Sequence, residues 1–280
     1  MPVRRLRLDA ELVRRGLARS REHAAALIDA GRVSVAGAVA TKPATGVTTD
    51  VALLVQPPDA AHPEYASRGG HKLAGALAAF TPGGFRVAGR RCLDAGASTG
   101  GFTDVLLRAG AREVVAVDVG YGQLAWPLRQ DPRVTVHDRT NVRDLTLEVV
   151  GEPVEVVVAD LSFISLRLVL DPLLAVCRPD ADLALMVKPQ FEVGRERLGR
   201  GGVVRDPELR AEAVMAIADA AASRGWGAQG VARSPLPGPS GNVEFFLWLA
   251  HRAPAVGAAE ISREARQPPA SGEAGERVSP

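Results

Sequence analysis

The sequence predicts a two-domain α/β protein: a small N-terminal unit over residues 4–57 and a larger, Rossmann-like domain over 67–250, joined by a linker at 58–66. Three observations carry that expectation. From residue 91 onward, short apolar runs rich in Val and Leu recur with helical or loop segments between them, the pattern of a mostly parallel, doubly wound sheet. The first run leads directly into a glycine-rich turn, Gly96-Ala97-Ser98-Thr99-Gly100-Gly101, at the edge where such sheets bind ligands. Between the two units, residues 56–66 carry three prolines and little apolar content, the composition of an exposed, stiff connection.

The bulk numbers agree. A chain of 280 residues, 46% apolar and 24% charged, has an ordinary globular composition. No apolar run approaches the roughly 20 residues that span a bilayer, and Met1-Pro2-Val3-Arg4-Arg5 passes into charged sequence without an apolar signal region. A monomeric cytoplasmic protein without membrane contact is therefore expected. The two cysteines, Cys92 and Cys177, sit inside or beside apolar stretches. They suit buried thiols in a reducing compartment and are too few for a disulfide framework or a structural zinc, so no metal is expected.

In the N-terminal unit, Leu6, Leu8, Leu12 and Val13 recur at helical spacing, with Asp9 as the expected N-cap and Gly16 as the stop. A second helix starts at Ser20, whose hydroxyl suits a cap, and stops at Gly31. Arg32-Val33-Ser34-Val35 alternates as a strand, followed by a turn at Ala36-Gly37 and another strand over 51–55. Seven arginines (Arg4, Arg5, Arg7, Arg14, Arg15, Arg19, Arg21) face only Asp9 and Glu11 between residues 4 and 21, although the whole chain is only +2. Such a cluster is either a phosphate-binding face or a solvated helix surface. The pattern Arg7-Leu8-Asp9, Leu12, Gly16, Ala18-Arg19-Ser20-Arg21, Ala24, Ile28, Gly31-Arg32-Val33-Ser34-Val35 and Gly37 resembles the S4 RNA-binding domain. That resemblance implies binding of structured RNA through those seven arginines, to which Arg68 at the entrance of the larger domain is added.

In the larger domain strands are expected at 91–95, 113–118, 133–137, 154–159 and 182–188, then at 227–231 and 243–249. The loop at 235–241 is too short for a crossover helix, so the last two strands should pair antiparallel in a seven-stranded mixed sheet. Beyond Leu249 periodicity is lost. Residues 251–280 are expected to lack fixed structure, apart from one helical turn near Ile261.

The turn after the first strand has the spacing G-x-x-x-G-G, whereas a dinucleotide fingerprint needs glycine where Ser98 stands. A pyrophosphate must sit close against backbone N–H groups, while S-adenosylmethionine carries no phosphate and tolerates a side chain there. Asp94 is suited to the methionyl ammonium of that cofactor. Asp118, closing the second strand about twenty residues on, is suited to the ribose hydroxyls, a feature shared with nicotinamide enzymes. Asn141 follows the third strand and is a candidate neighbour of the adenine, though Asn is also an ordinary turn residue. The expected cofactor set is Asp94, Gly96, Ser98, Thr99, Gly100, Gly101, Asp118, Asn141 and Asp160.

Four polar residues interrupt apolar elements: Lys72 before the apolar helix 73–80, Asp160 after 154–159, Lys188 before Pro189, and Glu244 inside 243–249. Singly, each reads as a salt bridge or a snorkelling lysine. As a set, Lys72–Asp160–Lys188–Glu244 resembles the catalytic tetrad of ribose 2′-O-methyltransferases of the FtsJ (RrmJ) type. Together with the S4-like unit and with Ser67-Arg68-Gly69-Gly70-His71-Lys72, Asp160-Leu161-Ser162-Phe163-Ile164-Ser165, Lys188-Pro189-Gln190-Phe191-Glu192-Val193-Gly194 and Gly238-Pro239-Ser240-Gly241-Asn242-Val243-Glu244, the chain is similar to the TlyA family of 16S/23S rRNA (cytidine-2′-O)-methyltransferases, historically labelled hemolysins. The resemblance covers residues 4 to about 250 and implies ribosomal RNA or a ribosomal subunit as partner. A ribose hydroxyl is a weak nucleophile, so the chemistry needs Lys188 to take its proton or stabilise the developing alkoxide, with Asp160 and Glu244 orienting the two ammonium groups. A dehydrogenase, which would share Asp118, and a non-catalytic RNA-binding protein of the ribosome stay open as alternatives. Nothing in the sequence supports membrane lysis.

Overall fold

The computed structural model describes residues 5–29, 31–56, 64–199, 201–238, 240–251 and 256–267. Arg4, linker residues 58–63 and the tail beyond Gln267 lie outside the described residues. The chain divides into two compact units, 1–64 and 65–280.

In the smaller unit, helices Leu8–Arg14 and Arg21–Asp29 pack Leu8, Leu12, Ala24, Leu27 and Ile28 against Val33 and Val47. Strand Val33–Val35 pairs antiparallel with Ala38–Val39 and with Leu53–Val55. The connecting turn has positive φ at Ala36 and Gly37, as a tight hairpin requires. Ser20 Oγ accepts the His23 N–H at 3.1 Å, starting the second helix as expected. Asp9 is not the N-cap. The first helix begins earlier, after Arg7, because Leu6–Arg7 forms a strand pair with Gly46–Val47 that the leucine spacing disguised as helix. Asp9 instead lies in the first turn, where its Oδ1 accepts the Ala10 N–H at 2.8 Å.

Within the larger unit the strands are β1 Arg91–Ala95, β2 Glu113–Val117, β3 Val134–His137, β4 Val154–Ala159, β5 Cys177–Val187, β6 Trp226–Arg233 and β7 Phe245–His251. They lie in the order β6-β7-β5-β4-β1-β2-β3. Among these described strands β7 alone runs opposite to the others, pairing antiparallel with both β5 and β6. Because the central strands are buried on both faces, they read as continuous apolar runs. Successive residues feed two apolar layers. Leu93 and Ala95 meet the layer containing Val214, Ile217 and Ile261, and Cys92 meets the layer containing Leu73, Phe80, Phe102 and Leu106. The longer helices are α1 Gly69–Phe80, α2 Gly101–Arg108, α3 Pro207–Ala222 and α4 Ala258–Arg266.

Two expectations are corrected here. The segment after β7 is not devoid of fixed structure up to a single turn: α4 is a nine-residue helix. It buries Ile261 and Ala265, spaced i and i+4, and its Arg266 pairs with Glu208 of α3 at 2.7 Å. Two apolar positions give little periodicity, yet burying one Ile stabilises by about 1.5–3 kcal/mol when a partner surface exists. Glu244, expected inside the last strand, stands just before it, since β7 begins at Phe245.

Candidate active site

The ladders of β1, β4 and β5 end level with one another, Ala95 opposite Ala159 and Ala159 opposite Leu185. β7 runs the other way, so its first residue, Phe245, sits opposite Val187. Asp160, Lys188 and Glu244 therefore emerge on one edge of three adjacent strands, and α1 brings Lys72 to the same edge.

There the four side chains form two ion pairs. Lys188 Nζ lies 2.6 Å from Asp160 Oδ1 and donates to Ser162 Oγ at 2.9 Å. Lys72 Nζ lies 2.5 Å from Glu244 Oε2, with Met186 Sδ at 4.0 Å. Lys72 is 6% exposed, Lys188 7% and Glu244 1%. Ammonium groups this enclosed persist only with a carboxylate beside them, and removing one partner of such a pair costs about 3–5 kcal/mol. Glu244 Oε1 is left without a hydrogen-bond partner among the described residues.

The turn after β1 is held from behind: the N–H groups of Gly96 and Ala97 both donate to Val117 O, at 2.8 and 3.1 Å. Gly96 has φ +87°, and a Cβ there would stand 2.7 Å from the backbone oxygen of Asp160, so glycine is required for the close approach of the two loops. Ser98, at φ +48°, occupies the left-handed region without being glycine. Its N–H donates to Asp118 Oδ2 at 2.8 Å, and Gly120 N–H donates to Asp118 Oδ1 at 2.7 Å. Thr99 O accepts the Ala125 N–H at 3.2 Å, while Gly100, at φ +94°, and Gly101 open α2. Asp94 is wholly buried. Thr103 Oγ1 donates to its Oδ2 at 2.6 Å, its Oδ1 has no partner among the described residues, and burial pushes its carboxyl up to about 7. Asn141 is exposed and accepts the Arg143 N–H at 3.0 Å, capping the turn Val142–Asp144. Among the described residues it makes no hydrogen bond to the turn at 96–101.

Comparison with known proteins identifies the family. The FtsJ-like methyltransferase family matches residues 65–251 and the S4 domain residues 6–51. The 16S/23S rRNA (cytidine-2′-O)-methyltransferase TlyA of Mycobacterium tuberculosis is 61% identical over 88% of this chain and 90% of its own. The chain belongs to the TlyA family of FtsJ-like methyltransferases. Hemolysin A of Brachyspira hyodysenteriae is 36% identical over 88% of this chain and 99% of its own. A solved chain from Streptococcus thermophilus, provisionally described as a hemolysin, superposes with a TM-score of 0.72 at 34% identity, covering 94% of this chain and 95% of its own. Membership in this family closes the dehydrogenase reading.

The arginines of this TlyA-family chain are not equivalent. Arg7 and Arg21 pair with Asp9 at 2.9 and 3.0 Å, and Arg14 and Arg15 pair with Glu11 at 2.6 and 2.7 Å. Both carboxyls are held down at about 2 by these guanidiniums. Arg7, Arg14 and Arg21 keep about half their side chains in solvent, and Arg5 is exposed. Arg15 is committed to its own fold, its two Nη atoms donating to Val51 O and Thr49 O at 2.7 and 2.9 Å. Arg19 pairs with Glu64 at 3.1 Å, and Arg68 donates to Pro237 O at 3.0 Å.

Sequence reading assigns no individual role to Ser162, Thr103 or Phe163, although Ser162 and Phe163 stand in a motif that carries the resemblance. The hydroxyls have no signal of their own, since Ser and Thr are common in loops. Phe163 carries one that only coordinates reveal: it is 92% exposed with φ +64°, its ring 5.5 Å from that of Phe191. A large apolar residue in a left-handed, solvated conformation is an outlier. Tyr65, at the end of the linker, packs edge-on to His71 and under the Arg108 guanidinium.

Proposed function

We propose that this chain is an S-adenosylmethionine-dependent 2′-O-methyltransferase acting on a cytidine ribose of 16S or 23S rRNA, brought to its site by the S4 domain. It is read as a monomer working on ribosomal RNA or subunits in the cytoplasm. The observation that carries the reading is the pair of buried lysine–carboxylate contacts on the sheet edge, next to a glycine turn whose buried Asp94 has an oxygen without a partner among the described residues.

The residues suit the cofactor. Asp94 Oδ1 needs a donor, which a methionyl ammonium is. Each Asp118 oxygen already accepts one backbone N–H and keeps a lone pair for a ribose hydroxyl. Gly96, Ser98, Thr99, Gly100 and Gly101 form the turn against which it would lie, with Asn141 toward the adenine and Asp160 closing the site. When bound, S-adenosylmethionine supplies a methyl group already activated on a sulfonium. The chain acts on the hydroxyl. Lys188, aimed by Asp160 and Ser162, takes the 2′-hydroxyl proton or stabilises the alkoxide, and Lys72, fixed by Glu244, supports the developing negative charge. Phe163, next in sequence to the Ser162 that Lys188 touches, offers an exposed ring on which a nucleobase can stack, worth about 1–3 kcal/mol per base. Arg5, Arg7, Arg14, Arg19, Arg21 and Arg68, with Arg4, supply phosphate contacts.

The test is to incubate the purified chain with ribosomal subunits and labelled S-adenosylmethionine and to map 2′-O-methyl positions. Label on ribose is expected. Lys188→Ala that keeps wild-type turnover while binding cofactor would overturn the assignment.

A further inference from the structure

β4 and β5 leave the sheet side by side, and their last backbone pairing is Leu185 with Ala159. Beyond it the loops 160–166 and 188–192, which carry Asp160, Ser162 and Lys188, have no ladder to hold them in register. Side chains do so at two points. One is the contact of Lys188 with Asp160 and Ser162. The other is Glu192, whose Oε2 accepts the Ser165 hydroxyl at 2.5 Å and whose Oε1 accepts the Leu166 N–H at 2.8 Å. The tilted rings of Phe163 and Phe191, 5.5 Å apart, also meet across the two loops.

The two points are not interchangeable. On the proposed reading, the Lys188 ammonium must leave its resting partners to handle the substrate proton, so that contact cannot be a fixed anchor. Glu192 touches no reacting group and is tied to firm ground at both ends. Toward Lys188 it is joined through the single helical turn Pro189–Glu192, closed by Val193 N–H to Pro189 O at 3.1 Å. Toward Asp160 it grips the N–H of Leu166, a residue 2% exposed in the core, and the hydroxyl of Ser165, which also accepts the Arg167 N–H at 3.2 Å. Burial pushes the Glu192 carboxyl above the usual carboxylate range in spite of these two hydrogen bonds. An acid kept there against desolvation, with no ion pair among the described residues, is an expensive way merely to fill space.

We propose that Glu192 is a positioning residue for methyl transfer: it locks the loop of Asp160 and Ser162 to the loop of Lys188, so that the ammonium returns to one place at every turnover. This rests on the catalytic reading of Lys188 given above.

The experiment measures kcat, cofactor KM and thermal midpoint for Glu192→Ala, Glu192→Gln, Ser165→Ala and the double variant Glu192→Ala/Ser165→Ala, with Lys188→Ala alongside. Misplacement by a fraction of an ångström predicts a kcat loss of about 30-fold for Glu192→Ala, with cofactor KM within about twofold, because the turn at 96–101 is untouched. Ser165→Ala should lose about fivefold and add nothing to Glu192→Ala, since both break one lock. Glu192→Gln, whose amide oxygen still accepts the Leu166 N–H, should recover most of the rate. Glu192→Ala with kcat within about threefold of wild type, while Lys188→Ala is inactive, overturns the positioning role alone. So does a Glu192→Ala loss that tracks the thermal midpoint and is not rescued by Gln. Lys188→Ala with full turnover overturns the catalytic reading, and the positioning role with it.

Discussion

Both units hold carboxylates against basic side chains, and between the first helices of the smaller unit and the edge of the large sheet the difference lies in what happens to the cation. In the smaller unit Asp9 and Glu11 are enclosed, while Arg7, Arg14 and Arg21 keep about half their side chains in solvent. On the edge of the large sheet both lysines are enclosed as well. A guanidinium presented outward on a buried anchor is a fixed positive charge for a phosphate backbone. An ammonium enclosed with its partner meets few waters and can be given over to one substrate atom. On the proposed reading one kind of ion pair serves attraction in one place and chemistry in the other, and accessibility decides which.

The contrast breaks most sharply at the enclosed lysines. Lys188→Ala should lower kcat by at least about 10³-fold with cofactor binding retained, since it removes the group that meets the proton. Lys72→Ala should cost about 10²-fold in kcat and also lower the thermal midpoint, because Glu244 is then a buried charge without a partner. Equal losses for the two, or none, would dissolve the distinction between a proton-handling and a supporting lysine.

Asp94 sharpens the comparison as a carboxyl buried with no cation beside it among the described residues. Its folded value of about 7 lies above the ordinary value near 3.9, the opposite of Asp9 at about 2. For a carboxyl raised in the folded state, the stability deficit is absent below the unfolded value and fully present above the folded one. The cofactor-free protein should therefore lose stability between about pH 4 and 7 relative to Asp94→Asn, followed by thermal midpoint. Cofactor affinity should rise over the upper part of that window, as Asp94 ionises to meet an ammonium, and Asp94→Asn should flatten both trends.

The smallest effects belong to the exposed arginines. Arg7→Ala with Arg21→Ala should weaken RNA binding several-fold and reduce the slope of log K against log salt by about one for each phosphate no longer neutralised. Asp9 and Glu11 have depressed values, so their contribution to stability is present above about pH 4 and fades as pH falls toward 2.

Much of this was legible in the sequence. β1 and β4 appear over their full lengths because a strand buried on both faces must be a continuous apolar run, and a charged residue at its end stands out. Asp160 and Lys188 were visible for that reason. That the two carboxylates orient the two ammonium groups was expected, but not which meets which, since residues 172 positions apart, such as Lys72 and Glu244, meet only through the sheet order. Asp9 was misread because a first-turn acid and an N-cap acid favour the same residue type. α4 was underestimated because two buried positions do not make a periodicity. Glu192 stood inside a quoted motif but was given no role, because what distinguishes it is a partner on another loop.

The glycine at position 96 sets a clearance. A single carbon added there would press on the backbone of Asp160, so on the proposed reading the turn that would seat the methyl donor and the loop that aims Lys188 share one tolerance. A scan that abolished activity at position 96 would be gauging that gap rather than any interaction the residue makes. The two loops cannot drift apart independently, and a change that reshapes one must be answered in the other.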